Sequence, residues 1–258
     1  MERRKFIKIC VIGGGAGGCM GVADAATGAT AATTSASLSV APPTPKKTGV
    51  TLSAKEYARV KLVDRDGKSI QAKSLKPNHN YVFNYPFEST PCFLLNLDRA
   101  LTENVELLTA TGDRYTWHGG VGPKKSIVAY SAICAHKLAY PSPQVSFISY
   151  RDKPSPLHAT GKVIGCCSDK SVYDPFHGAK VISGPAPQPL ATILIEHDAK
   201  TDELFVIGTF GGEKFTEFFK LYEFKISLET GGNRAKERVS KTTVVRDLAA
   251  HSAQTATC

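Results

Sequence analysis

Between residues 57 and 228 the chain repeats one texture. Short runs rich in Val, Ile, Phe and Tyr are cut at intervals of about ten residues by Gly, Pro, Asn and Asp. That spacing predicts strands over 57–63, 80–85, 92–97, 126–130, 144–150, 162–165, 180–183, 192–197 and 204–208. Asp64-Arg65-Asp66-Gly67-Lys68 predicts a turn after the first of them, and 215–222 is the most helix-like stretch within the domain. The expected fold class is all-β: a stack of small antiparallel sheets, or a sandwich.

The ends break this texture. Arg3-Arg4-Lys5-Phe6-Ile7-Lys8 is a twin-arginine pattern ahead of a weakly apolar stretch, residues 9–23, that is diluted by glycines. This predicts a Tat-type export signal or an anchor over 1–30. Ala16-Gly17-Gly18-Cys19 also has the form of a lipoprotein cleavage box. No Rossmann unit follows the glycines, which excludes a phosphate-binding loop. Residues 31–54, rich in Ala, Thr, Ser and Pro, lack the bulky apolar side chains needed for a core and read as a linker. The domain is then expected over 55–228. Residues 229–258, with five basic and three acidic side chains and little apolar periodicity, are expected as a basic tail with one short helix near 243–250.

Composition narrows the function classes. The 258 residues carry 32 Lys and Arg against 23 Asp and Glu, a net charge of +9. A basic surface suits an acidic protein partner or anionic membrane heads, and without an aromatic-plus-basic recognition motif nucleic acid is not an expected partner. The apolar runs are shorter than the ~20 residues of a membrane-spanning helix. Seven cysteines are too few for a disulfide-built scaffold, and an odd number cannot all pair within one chain.

The chemistry concentrates in two cysteine loops. Cys134-Ala135-His136 follows the predicted strand ending at Tyr130, and Cys166-Cys167 follows Val163-Ile164. Beyond them run Ser171-Val172-Tyr173-Asp174-Pro175, Gly178-Ala179 and Gly184-Pro185-Ala186-Pro187. Two such loops can hold a metal between hairpin tips; the same spacing also fits two ordinary turns with buried thiols. His79, His118, His158, His197 and His251 have no partner at ligand spacing and read as surface histidines.

The stretch Gly122-Pro123-Lys124-Lys125-Ser126-Ile127-Val128-Ala129-Tyr130-Ser131-Ala132-Ile133-Cys134-Ala135-His136 resembles the first cluster-binding loop of Rieske iron–sulfur proteins. Ser171-Val172-Tyr173-Asp174-Pro175 with Gly178-Ala179 and Gly184-Pro185-Ala186-Pro187 is similar to the segment after their second loop. Tyr85-Pro86 followed by Pro91-Cys92 resembles the arsenite-oxidase small subunits and the cytochrome bc-type group, and the likeness spans about residues 80–222. It implies a Rieske-type fold and a 2Fe–2S cluster held by two thiolates on one iron and two imidazoles on the other. It also implies a non-catalytic electron-transfer subunit of an exported, membrane-associated oxidoreductase. Such a subunit passes single electrons between a catalytic subunit or quinol and a cytochrome c-like carrier, in the periplasm or on the outer face of the cytoplasmic membrane. Ser171 and Tyr173 would then donate hydrogen bonds to sulfur, and Pro185 and Pro187 would belong to a rigid loop covering the cluster.

The second loop departs from the family pattern, Cys-x-His followed by Cys-x-x-His. Cys134 and His136 match the first loop. Counted from Cys166 the fourth ligand place holds Asp169, and counted from Cys167 it holds Lys170. Asp169 can bind iron through oxygen, at a lower potential; a protonated Lys170 is a poor ligand, and His177 is the nearest imidazole. The expected metal set is Cys134, His136, Cys166 and Asp169, with Cys167 as the competing thiol. Quinol-oxidising members also join their two loops by a disulfide; Ala139 stands at its first-loop place, so that bridge is not expected. The second function class is a Rieske-fold docking subunit that has lost its cluster.

Overall fold

The computed structural model describes residues 49–258, so the expected signal and most of the expected linker lie outside the described residues. Sixteen strands follow one another as β1 (Lys55–Val63), β2 (Tyr81–Asn84), β3 (Pro91–Asn96), β4 (Val105–Leu108), β5 (Arg114–Trp117), β6 (Ile127–Ser131), β7 (Val145–Ser146), β8 (Ile148–Arg151), β9 (Val163–Cys166), β10 (Ser171–Asp174), β11 (Lys180–Ser183), β12 (Thr192–Asp198), β13 (Glu203–Phe210), β14 (Thr242–Val244), β15 (Arg246–Asp247) and β16 (Gln254–Thr255). Helix α1 (Phe215–Thr230) follows β13, and α2 (Leu248–His251) follows β15. The class is all-β, as the pattern predicts. One eight-stranded sheet runs β14-β1-β13-β12-β6-β3-β2-β15, a four-stranded sheet runs β11-β10-β9-β8, and β4-β5 and β7-β16 form two-stranded ladders. Pairing is antiparallel except between β1 and β14 and between β7 and β16.

The central strands explain the unbroken apolar runs. Successive side chains of a strand point to opposite faces, and here both faces of β3 and β6 are covered. Phe93, Leu95, Val128 and Tyr130 pack into one core with Ile148, Ile164 and Tyr173 of the four-stranded sheet. Cys92, Leu94, Ile127 and Ala129 point the other way, onto Val60, Leu62 and Val206. Each fully buried aliphatic or aromatic side chain contributes roughly 1.5–3 kcal/mol by leaving water. The first of these cores also contains Cys134 and Cys166, so the candidate site is built into the apolar core shared by the two sheets.

Two expectations are corrected at the ends. Residues 229–258 are not a tail: β14 extends the large sheet beside β1, β15 closes its other edge beside β2, and β16 pairs with β7. Strands of two or three residues are held by backbone ladder bonds and carry no apolar run for a pattern to register. The short helix expected there is α2, whose first turn is capped by Asp247 Oδ1 accepting from the Ala249 amide at 2.9 Å. At the other end Leu52 donates its amide to the Arg114 carbonyl, so the last residues of the expected linker already belong to the fold. Helix α1 runs eight residues past the expected stretch, to a left-handed Gly231, and packs Phe215, Phe218 and Ile226 with Ile133 and Tyr140 beside the first cysteine loop.

Candidate metal centre

The two cysteine loops close in the same way. In the first, the Leu138 amide donates to the Cys134 carbonyl at 3.0 Å and the Cys134 amide to the Ala139 carbonyl at 2.9 Å. In the second, the β9–β10 hairpin pairs Cys166 with Ser171, and the Lys170 amide donates to the Cys166 carbonyl at 2.8 Å. Each tip turns through a left-handed residue four places after its cysteine, Leu138 (φ 56°) and Lys170 (φ 62°). Both tips thus present a cysteine at the first position of a tight reversal, and the core brings them face to face.

The Sγ atoms of Cys134 and Cys166 and a carboxylate oxygen of Asp169 lie within 4.8 Å of one another. Cys134 and Cys166 are fully buried. The Asp169 side chain is 2% exposed, against 36% for His136. Asp169 Oδ2 accepts from the Cys134 thiol at 3.2 Å and contacts His136 Nδ1 at 3.0 Å, while its Oδ1 accepts from the Ser171 amide at 2.9 Å. Metal bonds of about 2.0–2.3 Å to sulfur, oxygen and nitrogen allow donors this close to share one centre. The arrangement is a buried pair of thiols and a carboxylate, with an imidazole at the solvent edge.

Hydrogen bonding sets the charges. The contact with Cys166 leads the effects that bring the Cys134 thiol below its ordinary range; burial opposes it, and Tyr173 with the His136 and Lys137 amides reinforces it. The same contact, followed by burial, drives the Cys166 thiol far up. Cys134 is therefore the first of the pair to become a thiolate. Burial works against ionisation of Asp169, but the Ser171 amide and the two thiols outweigh it and hold the carboxyl below its usual value. The Tyr173 hydroxyl accepts from the Ala135 amide at 3.1 Å and lies 3.4 Å from Cys134 Sγ. The Cys134 proton goes to Asp169 Oδ2, so the Tyr173 proton is the one that serves the contact with the sulfur.

No family model matches this chain. Among solved structures the chain is similar to the soluble domain of the Rieske protein II (soxF) from Sulfolobus acidocaldarius, at 26% identity over 61% of this chain and 82% of that one, with a TM-score of 0.43.

Cys166 and Cys167 differ through a bond the sequence did not reveal. Cys167 forms a disulfide with Cys258, 91 residues away, which leaves Cys166 as the free thiol of the second loop. His177 stays apart: its Nδ1 sits 2.6 Å from Asp174 Oδ2. Four histidines expected at the surface are partly buried instead: His79 beside Asp247, His158 beside the Gly161 carbonyl at 3.1 Å, His197 against Asp202 at 2.9 Å and His251 against the Pro141 carbonyl at 3.1 Å. Pro185 and Pro187 are exposed, and the residue of their loop that touches the second cysteine loop is Ala186, whose amide donates to Ser171 Oγ at 3.1 Å. Gly184 makes that approach feasible: it has φ +87°, and a Cβ there would stand 2.5 Å from the Lys170 oxygen. The Gly-Pro-Ala-Pro string pointed to this loop, but the two small residues make the contact.

Proposed function

We propose that this chain is a Rieske-type electron-transfer subunit that holds a 2Fe–2S cluster between its two loop tips, with Cys134 and Cys166 on one iron and His136 and Asp169 on the other. The observation that carries this reading is the convergence of two buried thiols and a buried carboxylate within 4.8 Å, with the Tyr173 hydroxyl on the sulfur of Cys134. The donor chemistry fits: thiolates suit iron–sulfur clusters, imidazole and carboxylate suit a second iron, and four protein donors are what two irons require. When bound, the cluster supplies one-electron transfer. The chain's own residues hold and tune it. Tyr173 and the loop amides stabilise negative charge on Cys134, the apolar core excludes water, and His136 offers an edge open to a partner. Asp169, an anion where the family has a neutral imidazole, sets a potential below that of its histidine-ligated relatives.

The partners proposed are the protein subunits of a redox complex, or quinol, on one side and a cytochrome c-like carrier on the other. Export by the Tat route and attachment to the membrane through the N-terminus are proposed from the twin-arginine segment. The Cys167–Cys258 disulfide supports an oxidising compartment, since such bonds persist outside the reducing cytosol. A second reading is a docking subunit without a cluster. It is favoured by the contacts of the Asp169 carboxylate, which accepts from the Cys134 thiol and meets His136 Nδ1, so that these groups are satisfied without metal.

Iron and labile sulfide analysis of the exported protein separates the two readings. About two of each per chain, lost in Cys134→Ala, supports the cluster, whereas a folded, iron-free protein supports docking. Asp169→His should raise the reduction potential; a cluster spectrum unchanged in Asp169→Ala would remove Asp169 from the ligand set.

A further inference from the structure

We propose that residues 248–258 form a strap that positions the second donor loop, with Cys258 and Arg151 as the positioning residues. This rests on the cluster reading for its purpose, but not for its geometry. The strap lies along the chain that precedes the four-stranded sheet. Ser252 Oγ donates to the Ser142 carbonyl at 2.7 Å, and the Ala253 amide donates to the Pro143 carbonyl at 2.9 Å. Strand β16 then pairs Gln254 with Val145 and Thr255 with Ser146, and the Ala256 amide reaches the Ser146 carbonyl at 2.9 Å. It ends covalently on Cys167, the neighbour of the donor Cys166.

Cys166 is the last residue of β9 and Cys167 opens the turn that follows it. Fixing Cys167 to the strap therefore restrains the end of the strand that carries Cys166, and it anchors the backbone two residues before Asp169. The Cys167 amide adds a bond to the Phe147 carbonyl at 2.7 Å, at the break between β7 and β8. Arg151 joins both sides, since one guanidinium nitrogen lies 2.8 Å from the Ala256 carbonyl and 2.8 Å from Cys167 Sγ. Its Nε is buried without a hydrogen-bond partner, and burial lowers the pKa of the group. Arg151 is thus partly desolvated, and its bonds to the Ala256 carbonyl and Cys167 Sγ offset that cost. Residues 252–258 are held by ladder bonds, a cation and a covalent bond, all converging beside one donor. Among the described residues no disulfide joins the two donor loops to each other, so the covalent restraint on the site comes from the strap alone.

The test compares the full-length, iron-loaded chain with the double variant Cys167→Ser and Cys258→Ser; the double change avoids leaving a spare thiol beside Cys166. The readouts are the rate of iron transfer to a chelator and the electron paramagnetic resonance spectrum of the reduced protein. Val60→Ala, in the core on the other face of the large sheet, controls for general loss of stability. The strap predicts iron loss about 10- to 100-fold faster in the double variant with an altered spectrum, the range seen when supports of a metal ligand are removed, and an unaltered spectrum in the control. Iron loss within about twofold of wild type, with the same spectrum, overturns the proposal. If the double variant does not fold, wild type treated with a disulfide reductant gives the same comparison. If wild type carries no iron, the cluster reading fails by itself. The strap is then tested in the metal-free chain by hydrogen exchange at the Lys170 and Ser171 amides, which should speed up about tenfold or more on reduction of the disulfide; unchanged exchange overturns it.

Discussion

Tyr173→Phe separates the work of one hydroxyl from that of the ring that carries it. The ring is fully buried in the core that holds both donor cysteines, and phenylalanine fills nearly the same space. The change removes the contact with Cys134 Sγ and leaves the Ala135 amide, on a residue 4% exposed, without its acceptor. A buried amide left unmade costs about 1–3 kcal/mol, and the lost hydroxyl–sulfur bond adds about 0.5 kcal/mol, for a total of about 1.5–3.5 kcal/mol. For a domain of this size that lowers Tm by about 3–14 °C, read by thermal unfolding of the metal-free chain. In the iron-loaded protein the hydroxyl's bond to sulfur strengthens as the cluster gains negative charge. If it strengthens by about 1 kcal/mol, its loss lowers a one-electron potential by about 40 mV. Tyr130→Phe is the matched control: it removes an equally buried hydroxyl, which donates to the Pro175 carbonyl at 2.8 Å and touches neither cysteine. It should cost about 1 kcal/mol and leave the potential alone. Equal potential shifts in the two variants would refute the assignment of the Tyr173 proton to Cys134.

Three further perturbations probe the scaffold. Gly184→Ala should destabilise the metal-free chain by about 2 kcal/mol or more in denaturant unfolding, because the new Cβ meets the Lys170 oxygen and the Ser171 backbone at a residue with positive φ. Lys170→Gly relieves a left-handed side-chain residue and should stabilise by about 0.5–1 kcal/mol in the same assay; a loss of stability would show that the lysine side chain has a role of its own. Burial holds the His251 pKa below its ordinary 6.5, so the native state favours the neutral ring. Its contribution is fully present above pH 6.5 and is lost as pH falls through the depressed native value, because the unfolded chain takes up the proton first. Thermal unfolding between pH 5 and pH 8 should show this decline, and His251→Gln should flatten it (pH limits chosen to bracket the ordinary histidine range of about 6.5).

What could be read from the sequence depended on how each element is stabilised. Strands β3, β6, β12 and β13 lie where apolar side chains do the holding, and all four were expected within a residue or two. The β4–β5 ladder and β10 were not among the expected strands. Charged or polar residues interrupt each of them, Glu106 in β4, Arg114 and Thr116 in β5, and Ser171 and Asp174 in β10. Residues 242–258 also escape the apolar pattern, since backbone pairing and one disulfide hold them. Cysteine connectivity does not follow from spacing, so Cys167 and Cys258 could be seen as residues but not as a bond. The candidate donors could be named because the two loops resemble the ligand loops of a known family; their spacing alone fits ordinary turns as well. Their mutual contacts were not, because these depend on how two reversals far apart in sequence meet across a core.

The substitution at position 169 shows what that meeting changes. Asp169 does two things at once: Oδ1 closes a local turn by accepting from the Ser171 amide, and Oδ2 reaches across to Cys134 and His136. The first is a common use of a short carboxylate at a turn, two residues before the amide it accepts from. A histidine at this position can supply a donor to iron, but its ring is too long to close the same turn. Asparagine keeps the turn and loses the charge. The metal-free chain should therefore rank wild type above Asp169→Asn and Asp169→Asn above Asp169→His in denaturant unfolding, the last being lower than wild type by about 1–3 kcal/mol as the Ser171 amide loses its acceptor. The iron-loaded chain should reverse the benefit, with Asp169→His giving the higher potential because a neutral donor replaces an anion. A histidine variant as stable as wild type without metal would mean that the turn does not depend on the carboxylate, and that residue 169 is present for its contact with the cysteine alone.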